Sequence, residues 1–183
     1  MRGASTSVGI PRPSVDAVAG TALTIRLTRR GDGAVVFELR RADGTTTWQK
    51  RDGPTAEFFA IHDLTHYAVE TELGFHRAFY GLVAEGWDLS DFGTPWPRGP
   101  LPADALPAEV IVGCFDSARA SHEPLSAEAC NASAARYFAN AGMPSPVSVS
   151  DVELQRVRQR LSELVWRWNA LPPRATLELY FPL

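Results

Sequence analysis

Apolar and polar residues alternate along the first third of the chain and then change period. Leu23, Ile25 and Leu27 alternate with Thr24, Arg26 and Thr28, and Val35, Phe37 and Leu39 alternate with Val36, Glu38 and Arg40. A period of two puts one set of side chains on a buried face, so both runs read as half-buried strands. Gly31-Asp32-Gly33 and Ala42-Asp43-Gly44 separate them from each other and from a third β-favouring run, Thr45 to Lys50. Asp-Gly turns between alternating runs predict an antiparallel meander.

Beyond Arg51-Asp52-Gly53-Pro54 the spacing becomes helical. One helix is expected from about Phe58 to Leu73, stopped at Gly74, and a second from His76 to Glu85, stopped at Gly86. Residues 88–107 hold five prolines and read as a loop that could form a lid or a pocket wall. Pro107 suits a first helical position, so a third helix is expected to begin there and continue through Glu109 and the run Val110 to Phe115, although a buried strand fits Val110-Ile111-Val112 nearly as well. Ser126 is placed to cap a fourth helix that ends at Gly142. Ser150-Asp151-Val152-Glu153 is a capping box before Leu154, Val157, Leu161, Leu164, Val165 and Trp168. After Pro172-Pro173, Leu177, Leu179 and Phe181 alternate again and predict a strand returning to the first sheet. The expected fold is α+β: an antiparallel meander of three strands plus a C-terminal strand, with four or five helices packed on it. Residues 1–20, MRGASTSVGIPRPSVDAVAG, lack periodicity and read as a loose N-terminal arm ahead of a single domain over residues 21–183.

Length and composition agree with that picture. A chain of 183 residues with 45% apolar and 21% charged residues suits one domain, and no stretch has the roughly 18 consecutive apolar residues a membrane helix needs. Two cysteines are too few for a disulfide framework, and a cytoplasmic protein is expected. Lys50 is the only lysine among 18 basic residues, which looks like the coding bias of a GC-rich bacterium. Residues 1–51 carry nine basic and four acidic residues, mostly on the expected sheet. A solvated sheet face explains this better than a nucleic-acid surface, because stacking aromatics are scarce there.

The segment His62-Asp63-Leu64-Thr65-His66-Tyr67-Ala68-Val69-Glu70 is where chemistry is expected. Residues four apart lie one turn above each other on a helix, so His62 and His66 can share a metal ion. Glu70 continues their row. With Ile61 at zero, the three fall at about 100°, 140° and 180°, along the border of the buried stripe. Asp63 points further round, where it could orient an imidazole or act on a bound water. His62 and Glu70 are about 12 Å apart along the axis, so Glu70 reads as a partner of His66 as readily as a ligand. A third ligand would come from Glu57, His76, Glu85, Asp88, Asp91, Asp116, His122 or Glu123, and the sequence does not choose among them.

The spacing resembles the zincin motif His-Glu-x-x-His with aspartate for glutamate, which shortens the general base by one methylene. It resembles more closely the His-Asp-x-x-His zinc motif of the ubiquinone-biosynthesis scaffold family. That family carries a further glutamate where this chain has Ala78. The longer string HDLTHYAVE is similar to one in bacterial proteins without an assigned activity. The spacing of the two histidines leads to the expectation of a divalent ion, zinc by preference, on His62 and His66. Asp63 or Glu70 would then assist as base or orienter in hydrolysis of a small-molecule substrate. A competing expectation leaves the histidines structural, with His66 hydrogen-bonded to Glu70, in a non-enzymatic module that docks a protein or nucleic acid. Cys114 sits among Val112, Gly113 and Phe115 and reads as a buried, inert thiol rather than a nucleophile.

Overall fold

The structure is a computed structural model and describes residues 22–183; the arm expected over residues 1–20 lies outside the described residues. The three alternating runs form β1 (Ala22–Arg29), β2 (Val35–Arg40) and β3 (Thr46–Arg51), and β4 (Thr176–Pro182) closes the chain. The sheet is antiparallel throughout, in the order β3-β2-β1-β4. The terminal strand does return to the first: Leu23 lies opposite Phe181, Ile25 opposite Leu179 and Leu27 opposite Leu177. On the other side of β1, Ile25 pairs with Leu39 and Leu27 with Phe37. The inward residues of β1, β2 and β4 are thus apolar across the sheet, and all of these are buried. The outward face is solvated: Arg26 pairs with Glu38 at 3.5 Å and with Glu178 at 3.1 Å.

The described residues also form five helices: α1 (Thr55–Leu73), α2 (Phe79–Ala84), α3 (Leu106–Ser121), α4 (Ala127–Asn140) and α5 (Asp151–Asn169). The ambiguous run after Pro107 is helical, with that proline in the first turn where its missing N–H has no helical partner to lose. Ser126 and Ser150 cap α4 and α5, and Ser150 with Glu153 makes the reciprocal capping box. Gly74 ends α1 in the left-handed conformation, φ 73°. Inside the expected loop 88–107, Leu89–Phe92 forms a 3-10 turn. Arg41 holds the approach to that turn, donating to the carbonyls of Val83 at 2.7 Å and Trp87 at 2.6 Å.

Helix α1 occupies the centre of the domain, packed on the sheet, on α3 and on α5 at once. Ala56, Ala60, Leu64 and Ala68 face the core, and Asp63, Thr65, His66 and Glu70 are buried with them. A helix enclosed on several sides has no single apolar stripe. The row His62, His66, Glu70 therefore does not lie along a water-exposed border: it descends from a part-exposed His62 to a fully enclosed Glu70.

Candidate functional site

The polar cluster stands between α1 and α3. His62 Nδ1 meets Asp116 Oδ2 at 2.6 Å, and Asp116 Oδ1 accepts from Arg119 Nη2 at 2.7 Å. One turn along α1, His66 Nδ1 meets Glu70 Oε1 at 3.2 Å. The His66 Nε2 atom faces the carboxylate of Glu109 at 3.7 Å. The two imidazoles lie edge to face with ring centroids 4.8 Å apart. Helical spacing supplies the geometry on both sides: His62 and His66 are one turn apart, and Glu109 and Asp116 are two turns apart on nearly the same face of α3.

Burial and charge pull these groups in different directions. For His62, burial disfavours the charged ring, but the hydrogen bond to Asp116 and the neighbouring carboxylates outweigh it and raise the pKa above the ordinary value. Asp116 is likewise opposed by burial, yet its bonds to His62 and Arg119 hold it below the usual carboxylate range. His66 is enclosed, and burial takes its pKa below 6.5 despite Glu109. Burial pushes Glu70 well above the ordinary carboxylate value, against the backbone N–H groups at the start of α2. The Tyr80 N–H donates to Glu70 Oε2 at 3.0 Å, so Glu70 ties the first turn of α2 to His66 on α1. Gly81 is required beside it, because a Cβ there would stand 2.0 Å from the His76 carbonyl oxygen.

Asp63 is engaged elsewhere. Its Oδ2 accepts from Arg51 Nη1 at 2.5 Å, across from β3, and its main-chain carbonyl accepts from the Tyr80 hydroxyl at 2.8 Å. Burial raises its carboxyl to about 6, with Arg51 opposing. The Arg51 guanidinium also lies over the Phe59 ring, 4.5 Å from its centroid. Asp63 is therefore an interior ion-pair partner of the sheet, with its carboxylate directed at Arg51 rather than at either imidazole.

Of the eight side chains that could supply a third ligand, only Asp116 is hydrogen-bonded to either imidazole. Glu57 accepts from the Trp168 indole at 2.8 Å and pairs with Arg29; Glu85 pairs with Arg77, Asp88 with Arg41 and Asp91 with Arg98. His122 ends α3 in the left-handed conformation, and Glu123 lines the groove beyond it. Glu109 is a partner that the sequence pattern did not single out. Its spacing of seven from Asp116 is visible in the sequence, but the strand alternative for residues 110–112 hides that shared face.

Glu109 also lines a groove of about 700 Å³ between α3 and α4, together with Gly113, Cys114, Ser117 and Arg136. It is thus the one residue of the cluster that reaches both the buried His66 and an open cleft. Among the described residues, no three His, Cys, Asp or Glu side chains are already placed as a ready-made metal site. No helix is long and apolar enough to cross a membrane among the described residues. No protein-family model matches the chain, and no match was found among curated proteins or solved structures.

Proposed function

We propose that the protein binds a divalent metal ion, zinc by preference, through His62 Nε2, His66 Nε2 and the Glu109 carboxylate, and acts on a small molecule held in the α3–α4 groove. One observation carries this reading: both histidines have Nδ1 against a carboxylate, Asp116 for His62 and Glu70 for His66. A carboxylate on Nδ1 fixes the ring and its tautomer and leaves Nε2 as the metal-binding atom, the usual outer arrangement around a metal-bound histidine. Two imidazoles on adjacent turns and one carboxylate make the three-ligand set of a catalytic zinc site, which keeps a further position open. Glu109 would move inward to complete it, from a side chain that is 29% exposed.

Zinc held by this set would supply a Lewis acid for a carbonyl or phosphoryl oxygen of a substrate. The chain's own contributions are distinct. Asp116 and Glu70 orient the rings, Arg119 holds Asp116 in place, and the groove admits the substrate beside Glu109. The aspartate of the His-Asp-x-x-His spacing serves the fold through Arg51 and has no part in this proposal, and Glu70 is an orienting group rather than a base.

Metal content measured after zinc loading and dialysis tests the reading. The parent should retain close to one zinc per chain, Glu109→Gln should retain it weakly, and His66→Ala should lose it. A parent that retains no zinc overturns the proposal and makes the cluster an interhelical polar bridge. A parent that hydrolyses none of a panel of esters, amides and phosphoesters while holding zinc removes the hydrolytic half alone.

A further inference from the structure

Away from the α1–α3 cluster, the last strand enters the sheet through an irregularity. The Arg29 N–H donates to the Ala175 carbonyl at 3.0 Å, and the Arg29 carbonyl accepts from the Arg174 N–H at 2.7 Å. Thr28 already lies opposite Thr176, so two residues of the incoming chain face the single Arg29. This is a β-bulge, and its first residue, Arg174, takes φ 70°. Glycine adopts that left-handed conformation without steric cost, whereas an arginine holds it under strain. The bulge directs the Arg174 side chain against the β1–β2 turn. A Cβ on Gly31 would stand 3.3 Å from Arg174 Nε and 3.8 Å from its Nη2, so the bare backbone of Gly31 permits this close approach.

Arg30 and Arg174, with Thr28, Gly31 and Asp32, line a hollow of about 480 Å³. Asp32 is its one acid, and it is engaged within the hairpin. Its Oδ1 accepts from the Ala34 N–H at 3.1 Å, and its Oδ2 faces Lys50 Nζ at 3.9 Å. Neither Arg30 nor Arg174 has an ion-pair partner among the described residues. The Thr28 hydroxyl pairs with that of Thr176 at 2.8 Å; when it accepts there, its own proton is free for a ligand.

We infer that this hollow binds the phosphate group of a small phosphorylated molecule through Arg30 and Arg174, with Thr28 as a further donor. Phosphate oxygens match the guanidinium fork, and two positive charges favour a dianion over a carboxylate. The hollow leaves room beside the phosphate for a short organic body. The strain at Arg174 then serves the ligand at the fold's expense. This site stands apart from the zinc reading and does not depend on it.

Metal-free protein is titrated by calorimetry at low ionic strength with inorganic phosphate, glycerol 3-phosphate and glycerol. Both phosphates should bind and glycerol should not, and the tighter phosphate shows whether the ester or the free ion is the occupant. Arg174→Gly should weaken phosphate by about tenfold or more, the loss of one charge-assisted contact. It should also raise the melting temperature, because glycine relieves the left-handed backbone. Arg30→Gln should weaken phosphate similarly. Arg40→Gln removes the same charge from an exposed position outside the hollow and should bind as the parent does. The inference is overturned if the parent binds neither phosphate, if glycerol binds as well as its phosphate, or if Arg174→Gly or Arg30→Gln matches the parent. It is overturned equally if Arg40→Gln loses as much as they do, since net charge alone would then explain the binding. Should Arg174→Gly fail to fold, Arg30→Gln decides.

Discussion

Glu70→Gln separates an orienting carboxylate from a merely space-filling one. In the parent, Oε2 accepts from the Tyr80 N–H at 3.0 Å while Oε1 faces His66 Nδ1 at 3.2 Å. Glutamine has one acceptor oxygen and one donor amide. The Tyr80 N–H is buried and needs the oxygen, so the glutamine amide is turned toward His66 Nδ1. A donor there demands the lone pair on Nδ1 and sends the ring proton to Nε2, the atom required for metal. Loading zinc then forces a buried donor against a donor or leaves an N–H unsatisfied, at about 1–3 kcal/mol. At 1.4 kcal/mol per tenfold change in affinity, zinc should bind on the order of 10- to 100-fold more weakly. The fold should change little, because Tyr80 keeps its acceptor. Competition titration against a chromophoric zinc chelator gives the affinity, and thermal unfolding of the metal-free protein checks the fold. Zinc affinity equal to the parent's in Glu70→Gln, with His66→Ala still deficient, would refute the orienting role.

Other variants probe the scaffold. In metal-free protein, Asp63 has a folded pKa of about 6 against 3.8, so the stability supplied by its protonated form is full below 3.8 and is lost as pH rises toward 6, where the loss levels off. Arg51→Met leaves that carboxyl protonated at higher pH, so the variant should match the parent's pH dependence near pH 5 and fall behind by about 1.4 kcal/mol for each unit above pH 6. Urea unfolding at several pH values reads this, and a pH-independent loss would contradict it. Gly81→Ala puts a Cβ 2.0 Å from the His76 carbonyl oxygen and must shift the start of α2. It should cost about 1–3 kcal/mol in thermal or urea unfolding and weaken zinc binding through Tyr80 and Glu70; an unchanged midpoint contradicts the close approach. Trp168→Phe removes the indole donor to Glu57 from the core contact of α5, at about 1–3 kcal/mol, measurable in the same unfolding assay.

Local pattern carried most of the fold. The alternation at Leu23, Ile25 and Leu27 set which face of β1 is buried, and Ser126 and Ser150 marked two helix starts, because turns and caps act through near neighbours. The start of α2 falls at Phe79 rather than His76, since the chain leaving Gly74 turns before its first amides reach Glu70. The site was legible only in part. His62, His66 and Glu70 announced themselves by spacing, and the His66–Glu70 contact follows from it. The roles of Asp63 and Glu109 depend on which elements α1 touches: β3 brings Arg51 to the first, and α3 brings the second to His66. Those contacts join segments far apart in sequence, and helical period alone carries no information about them.

A crystal of the protein soaked in zinc, with data collected on both sides of the zinc absorption edge, tests the metal site most directly. One strong anomalous peak is expected between α1 and α3, about 2.0–2.1 Å from His62 Nε2 and His66 Nε2, with Glu109 drawn in from its 3.7 Å separation. Histidine rings unchanged, with no peak at that position or with zinc bound only elsewhere, would contradict the proposed site.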